Sequence, residues 1–174
     1  YAFMDSVDAL GGVDVPVHDN QNKVINTYVA EINRQLNLPS DDGFLRETGD
    51  SVHLTGKQAM GFVRNRYLEN GDYARADHQR MVLEQLIAKA READYKALIN
   101  TADAVASNLY TDLSSQEILQ LAMDAGKYKN YELVQFRVPD ESTESVGGVY
   151  KGHWVLRIDM EANRELLAKA IYEE

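Results

Sequence analysis

The sequence predicts an α/β domain, layered α-β-α, with a mixed central sheet flanked by helices. Several segments repeat apolar residues at spacings of three and four, the period of a helix with one buried face. Between them, short runs of β-branched residues alternate with polar ones, the period of a strand. Of the 174 residues, 44% are hydrophobic, enough to build a core in one domain of ordinary size. No internal repeat, low-complexity tract or linker composition interrupts the chain, so residues 1–174 read as a single domain.

The elements follow in order. Phe3, Val7 and Leu10 lie at helical spacing, and Gly11-Gly12 stops that helix where glycine turns easily. Val13, Val15 and Val17 alternate with Asp14 and Pro16, a short strand that the proline confines to an edge or a strand end. Val24, Ile25, Tyr28, Ile32 and Leu36 mark a second helix over about Lys23 to Leu36, followed by the turn-rich Pro39-Ser40-Asp41-Asp42-Gly43. Thr55 and Gln58 have capping-box spacing and open a short helix through Ala59, Met60 and Phe62. The longest periodic stretch, about Asp72 to Asn108, reads as two helices broken between Ala93 and Thr101. Ser114 with Glu117 opens another helix that Gly126 closes, and Leu133, Phe136 and Val138 suggest a strand. Gly147-Gly148 reads as a loop, Trp154 to Ile158 as a strand, and Asp159 as the cap of a final helix through Leu166, Leu167 and Ile171.

Charge and cysteine usage narrow the chemistry. Lys and Arg number 18 against 28 Asp and Glu, a net charge of −10, whereas nucleic-acid binders carry a basic surplus that displaces phosphate counterions. Any phosphate recognition here is therefore local. With no cysteine, disulfides, thiol nucleophiles and cysteine-ligated zinc are excluded, while the compartment stays open. No run of about 20 apolar residues marks a membrane span, and there is no signal peptide. The start at Tyr1 rather than an initiator methionine suggests a fragment.

Local positive charge concentrates between Arg64 and Arg80, where four arginines and His78 occur and no lysine does. Guanidinium groups stay ionised and present paired donors that match phosphate oxygens, so the cluster points to oxyanion recognition. Arg64 and Arg66 share a face if the chain is extended there and lie on nearly opposite sides if it is helical. Beyond Asp72, a candidate helix cap, Arg75, His78, Gln79, Val82 and Leu86 form a stripe that is polar first and apolar later. That gradient suits a ligand with a phosphate head and a hydrocarbon tail, with Phe62 also a candidate for the tail. The other open reading has the arginines paired with surface carboxylates, and Phe62, Val82 and Leu86 in the core. The four histidines, His18, His53, His78 and His153, have no metal-ligand spacing, so no metal ligand is assigned.

Several blocks occur together in order: Val7-Asp8-Ala9-Leu10-Gly11-Gly12-Val13-Asp14-Val15, Leu54-Thr55-Gly56-Lys57-Gln58-Ala59, Val63-Arg64-Asn65-Arg66-Tyr67, Gly71-Asp72-Tyr73-Ala74-Arg75 and Gln79-Arg80. In content and spacing they resemble the LytR-CpsA-Psr family. The resemblance covers the later part of that domain and implies N-terminal strands, with an arginine and magnesium-associated aspartates, ahead of Tyr1. It implies a membrane-anchored phosphotransferase on the extracytoplasmic face of the Gram-positive cell membrane. Such an enzyme transfers wall teichoic acid, capsule or related glycopolymers from undecaprenyl pyrophosphate carriers to peptidoglycan.

By that resemblance Arg64, Arg66 and Arg75 surround the pyrophosphate, and Asp72 and Gln79 orient it or contact the head group. His78 stands where family members commonly carry arginine. The implied catalytic set is Arg64, Arg66, Asp72 and Arg75. Asp72 is open between general base, arginine-orienting carboxylate and helix cap, with orientation favoured because neighbouring arginines make a carboxylate a poor base. Mg²⁺ is implied as cofactor, with ligands mainly from the preceding strands. A layered domain lacking some of its strands exposes sheet edges, so self-association or pairing with a complementary N-terminal fragment is expected. The alternative function is a non-catalytic module that binds polyprenyl phosphates or cell-wall polymer and regulates without turnover.

Overall fold

The computed structural model describes residues 1–66, 72–94, 96, 100–101, 111–114, 116–117, 120–121, 124, 127 and 131–172, apart from the side chain of Asp72. The chain divides into two compact units, Tyr1–Lys129 and Asn130–Glu174.

In the first unit, helix α1 (Ala2–Ala9) buries Met4 and Val7 and ends as predicted. Gly11 and Gly12 both adopt positive φ, near 80°. Gly12 also gives the His53 ring room, since a Cβ there would lie 2.4 Å from His53 Nε2. Strand β1 (Val13–Val17) turns Val13, Val15 and Val17 into the core, as its alternation predicts. Its antiparallel partner is β2 (Gly49–Leu54), a strand not anticipated from sequence, with Val13 opposite Leu54 and Val15 opposite Val52. The register shifts between Val15 and Val17, around Pro16, which has no N–H to give to a ladder.

Helix α2 (Gln21–Gln35) buries Ile25, Val29 and Ile32 along one face. Its Asn26 and Asn33 reach out to the turn-rich loop that follows. The Asn26 amide accepts from Leu45 N–H at 2.7 Å and donates to Leu45 C=O at 2.9 Å, while fully buried Asn33 donates to the carbonyls of Ser40 and Asp42.

Helix α3 (Gly56–Arg64) opens on the predicted capping box between Thr55 and Gln58. Gly61 brings α3 against α2, since a Cβ there would lie 2.8 Å from Ile25 O. Helix α4 (Asp72–Glu92) follows and ends where the predicted break begins. Ala74, His78 and Val82, four residues apart, are its buried stripe, and Leu86 packs at the core's edge. Farther on, Ser114 and Glu117 exchange the hydrogen bonds of the predicted capping box, and the described positions from 116 to 127 are helical. Asn108 and Gly126, the predicted ends of two helices, lie outside the described residues.

The second unit is a hairpin and a helix. Strands β3 (Ser145–Tyr150) and β4 (His153–Ile158) pair antiparallel through the turn Lys151-Gly152, whose positive φ at both positions matches the twist of a tight hairpin. Gly147 and Gly148 therefore lie inside a strand, not in the expected loop. The Trp154 ring lies across Gly147, where a Cβ would be 2.8 Å from the indole. The expected strand at Leu133, Phe136 and Val138 is not formed: residues 132–137 join no ladder, and Leu133, Val134 and Val138 are exposed. Asp159 caps α5 (Met160–Tyr172), accepting from the N–H groups of Glu161 and Ala162.

The class is thus mixed α/β, as predicted. In place of one mixed central sheet, the described residues form two separate two-stranded antiparallel sheets.

One ionic cluster lies on the outward side of β1. Asp14 accepts from His53 Nδ1 at 2.9 Å across the ladder and pairs with Lys89 of α4 at 3.3 Å. The His53 hydrogen bond, aided by Lys89 and opposed by modest burial, holds the Asp14 carboxyl below its ordinary value. A carboxyl depressed in the fold stabilises it above the unfolded value, about pH 4, and loses that contribution as pH falls through the folded one. Urea unfolding at about pH 5 and about pH 3 is therefore expected to show a smaller acid loss in Asp14→Asn than in the wild type. Equal losses would mean that the pairs contribute nothing.

Candidate anion-binding site

Arg64 is the last residue of α3, where unpaired carbonyls favour a cation. Two side chains of α2 meet it. The Arg64 guanidinium carbon lies 4.8 Å from the centroid of the Tyr28 ring, and Tyr28 Oη donates to Arg64 C=O at 3.1 Å. Glu31 Oε2 is 3.8 Å from Arg64 Nη1.

The next residue settles the conditional geometry of the paired arginines. Asn65 leaves the helix with φ −63° and ψ 121°, extended and almost fully buried, and Arg66 follows it exposed. Arg64 and Arg66 thus flank an extended residue and do not share a helix.

Packing between α3 and α4 brings the second half of the motif alongside. The buried His78 ring lies against Phe62, centroids 4.2 Å apart, and Gln79 Nε2 donates to Val63 C=O at 3.5 Å. These contacts set the first turns of α4, with half-buried Arg75, against the end of α3 that carries Arg64. The α4 stripe divides in a way that periodicity did not resolve: His78 joins Val82 in the core, Gln79 is exposed, and Arg75 flanks them. Arg80 pairs with Asp77 on its own helix.

Phe62 and Val82, the candidate tail contacts, are fully buried within a core that also includes Val7, Val15, Ile25 and Leu54, with Leu86 at its margin. Asp72 begins α4, and its side chain lies outside the described residues, as do residues 67–71 of the motif.

The Leu54–Ala59 block has a different role. Thr55 and Gln58 cap α3, and Gln58 also donates to Gly43 C=O at 3.0 Å. Lys57 Nζ bridges Asn33 Oδ1 at 2.9 Å and Asp42 Oδ2 at 2.6 Å. Gly56 N–H donates to Asp8 Oδ1 at 2.7 Å, joining α1 to the start of α3. These residues build the frame that holds Arg64. Sequence spacing could not reveal Tyr28, Glu31 or Asp8 as its supports, because each acts across more than 30 residues.

Arginines carried by two neighbouring helices supply guanidinium donors of the kind that bind an oxyanion such as phosphate. Among the described residues no three His, Asp or Glu side chains converge as a metal-ligand set.

The chain is 30% identical over 134 residues to the polyisoprenyl-teichoic acid–peptidoglycan teichoic acid transferase TagU of Enterococcus faecalis, covering 74% of this chain and 41% of that protein. It is 27% identical over 173 residues to the Bacillus cereus protein of the same name, covering 96% of this chain and 48% of that one. The chain therefore spans about half the length of the curated relatives it matches. In fold it is similar to TagT bound to LIIa-WTA, with a TM-score of 0.60 at 19% identity, covering 95% of this chain and 55% of that structure. B. subtilis TagU gives a TM-score of 0.56 at 18% identity, covering 99% and 62%. The LytR_cpsA_psr family profile matches residues 1–170, nearly the whole chain. The chain is accordingly a member of the LytR_cpsA_psr family.

Proposed function

We propose that this chain carries the pyrophosphate-handling part of a transferase that moves wall teichoic acid or a related glycopolymer from an undecaprenyl pyrophosphate carrier to peptidoglycan. The observation that supports this reading is the α3–α4 contact, Phe62 on His78 and Gln79 on Val63, which packs the helix that carries Arg75 against the helix that ends at Arg64. In the reaction, a peptidoglycan sugar hydroxyl oxygen forms a bond to the polymer-side phosphorus, the phosphorus–oxygen bond to undecaprenyl phosphate breaks, and the hydroxyl proton is released. Arg64, Arg66 and Arg75 bind the phosphoryl oxygens and stabilise their growing charge, with exposed Gln79 as a neighbouring polar contact, while buried His78 acts through its packing on Phe62. Asp72 orients an arginine. The isoprenoid tail lies along half-buried Leu86, since Phe62 and Val82 are enclosed in the core.

The work takes place at the extracytoplasmic face of the cell membrane, where the lipid carrier and the wall meet. The family reading includes Mg²⁺, with its ligands mainly outside the described residues, among which no three His, Asp or Glu side chains converge to hold it. Self-association belongs to the same reading: β3–β4 is a two-stranded sheet whose Val149 and Trp154 are exposed, and such edges pair readily. Sedimentation is expected to show a mass that rises with concentration, and a constant monomer mass would refute it.

Calorimetric titration with a short polyprenyl pyrophosphate tests the main reading. Arg64→Ala and Arg75→Ala are each expected to weaken binding about tenfold or more, the worth of a charge-assisted hydrogen-bonded contact. Unchanged affinity in both variants would return these arginines to surface pairing.

A further inference from the structure

We propose that Tyr28 and Glu31, three residues apart on α2, form a latch on Arg64, in which Tyr28 positions the guanidinium and Glu31 occupies it until an anion takes its place. The proposal rests on the anion-binding reading above for the identity of the competitor. Tyr28 holds Arg64 at two points, its hydroxyl on the Arg64 carbonyl at 3.1 Å and its ring 4.8 Å from the guanidinium carbon. The first ties the helix end to α2 by satisfying a terminal carbonyl of α3. The second holds the side chain over an aromatic face while leaving its in-plane donors open.

Glu31 differs in kind. At 3.8 Å, its contact with Nη1 is longer than the roughly 2.7–2.9 Å of a charge-assisted hydrogen bond, and both side chains face solvent. A partner held that loosely leaves most of the guanidinium donors available. A pyrophosphate, with more charge and more acceptor oxygens than one carboxylate, outcompetes it. Arg34, one turn beyond Glu31 on α2 and lining a surface groove with it, gives the displaced carboxylate a second cation to face.

The two α2 residues therefore act on anion affinity with opposite signs. Removing Glu31 takes away a competitor and a repelling charge. Removing the Tyr28 ring takes away the support. A purely structural role for both would weaken binding in both variants.

The test titrates the 174-residue chain with inorganic pyrophosphate at fixed ionic strength. Glu31→Gln is expected to lower Kd about two- to fivefold, in keeping with exposed ion pairs. Tyr28→Leu is expected to raise it about two- to fivefold, and Tyr28→Phe, which keeps the ring, to stay nearer the wild type. In an Arg64→Ala background, Glu31→Gln should lose its effect, because the cycle isolates the pair. Shifts of the same sign in Glu31→Gln and Tyr28→Leu, or a Glu31→Gln gain that persists without Arg64, would overturn the latch.

The Arg64 Nε–Hε resonance of the ligand-free chain is a second readout, expected to move in both Tyr28→Leu and Glu31→Gln. If the wild type binds no pyrophosphate, the anion-binding reading fails and this resonance alone judges the latch. A signal unmoved in either variant overturns it.

Discussion

Gly56→Ala is expected to destabilise the first unit by about 3–5 kcal/mol, read as a lower urea midpoint. A Cβ at position 56 would stand 2.2 Å from Met4 O and 2.7 Å from Met4 C, atoms of the α1 backbone that cannot rotate aside, and 2.8 Å from Asp8 Oδ2. Relieving the overlap separates α1 from α3. That separation breaks the 2.7 Å bond from Gly56 N–H to the Asp8 carboxylate, so an overpacking penalty and a lost charge-assisted hydrogen bond add. Gly148→Ala is the control, because nothing lies within 4 Å of its Cβ position, and it should change stability by less than about 0.5 kcal/mol. A Gly56→Ala midpoint equal to the wild type would show that α1 does not dock where the fold places it.

The second large effect belongs to Phe62→Ala. Phe62 is fully buried, so its truncation loses the transfer energy of a ring and leaves a cavity, together about 3–5 kcal/mol. It also deprives His78 of the surface that registers α4 on α3. Pyrophosphate affinity is expected to fall in conditions where the variant remains folded, although Phe62 carries no charge. Phe62→Leu, which keeps most of the volume, should lose less than about 1.5 kcal/mol and retain binding. Normal stability in Phe62→Ala would instead mark the ring as dispensable to packing.

How much of this was legible beforehand depended on whether the cause was local. Both capping boxes, the valine alternation of β1 and the Asp159 cap are short-range patterns, and each appears where predicted. β2 escaped notice because only Val52 and Leu54 in it face the core, and two apolar residues make too weak a period. Gly147-Gly148 looked like a loop because glycine signals turns, yet here Gly147 makes room for a tryptophan from the facing strand. The apolar residues near Leu133 have the right composition for a strand, and no partner strand pairs with them among the described residues.

At the site, residue types were readable and their partners were not. The Arg64-to-Arg80 cluster stood out by charge alone, while its supports Tyr28 and Glu31 read simply as positions on an amphipathic helix. His78 shows the same limit: spacing gave its helix, but only packing against Phe62 revealed that it faces inward.

Helix α3 has only nine residues, below the roughly 12–15 at which an isolated helix begins to hold its shape in water. Its start is fastened by Asp8 and its end by Tyr28, residues of two other helices. Such a helix depends on α1 and α2 for its shape, and its amides are expected to exchange with solvent when that assembly opens. The conformation of Arg64 is therefore a report on the whole first unit, and a distant change that loosens α1 or α2 would reach this arginine without touching it.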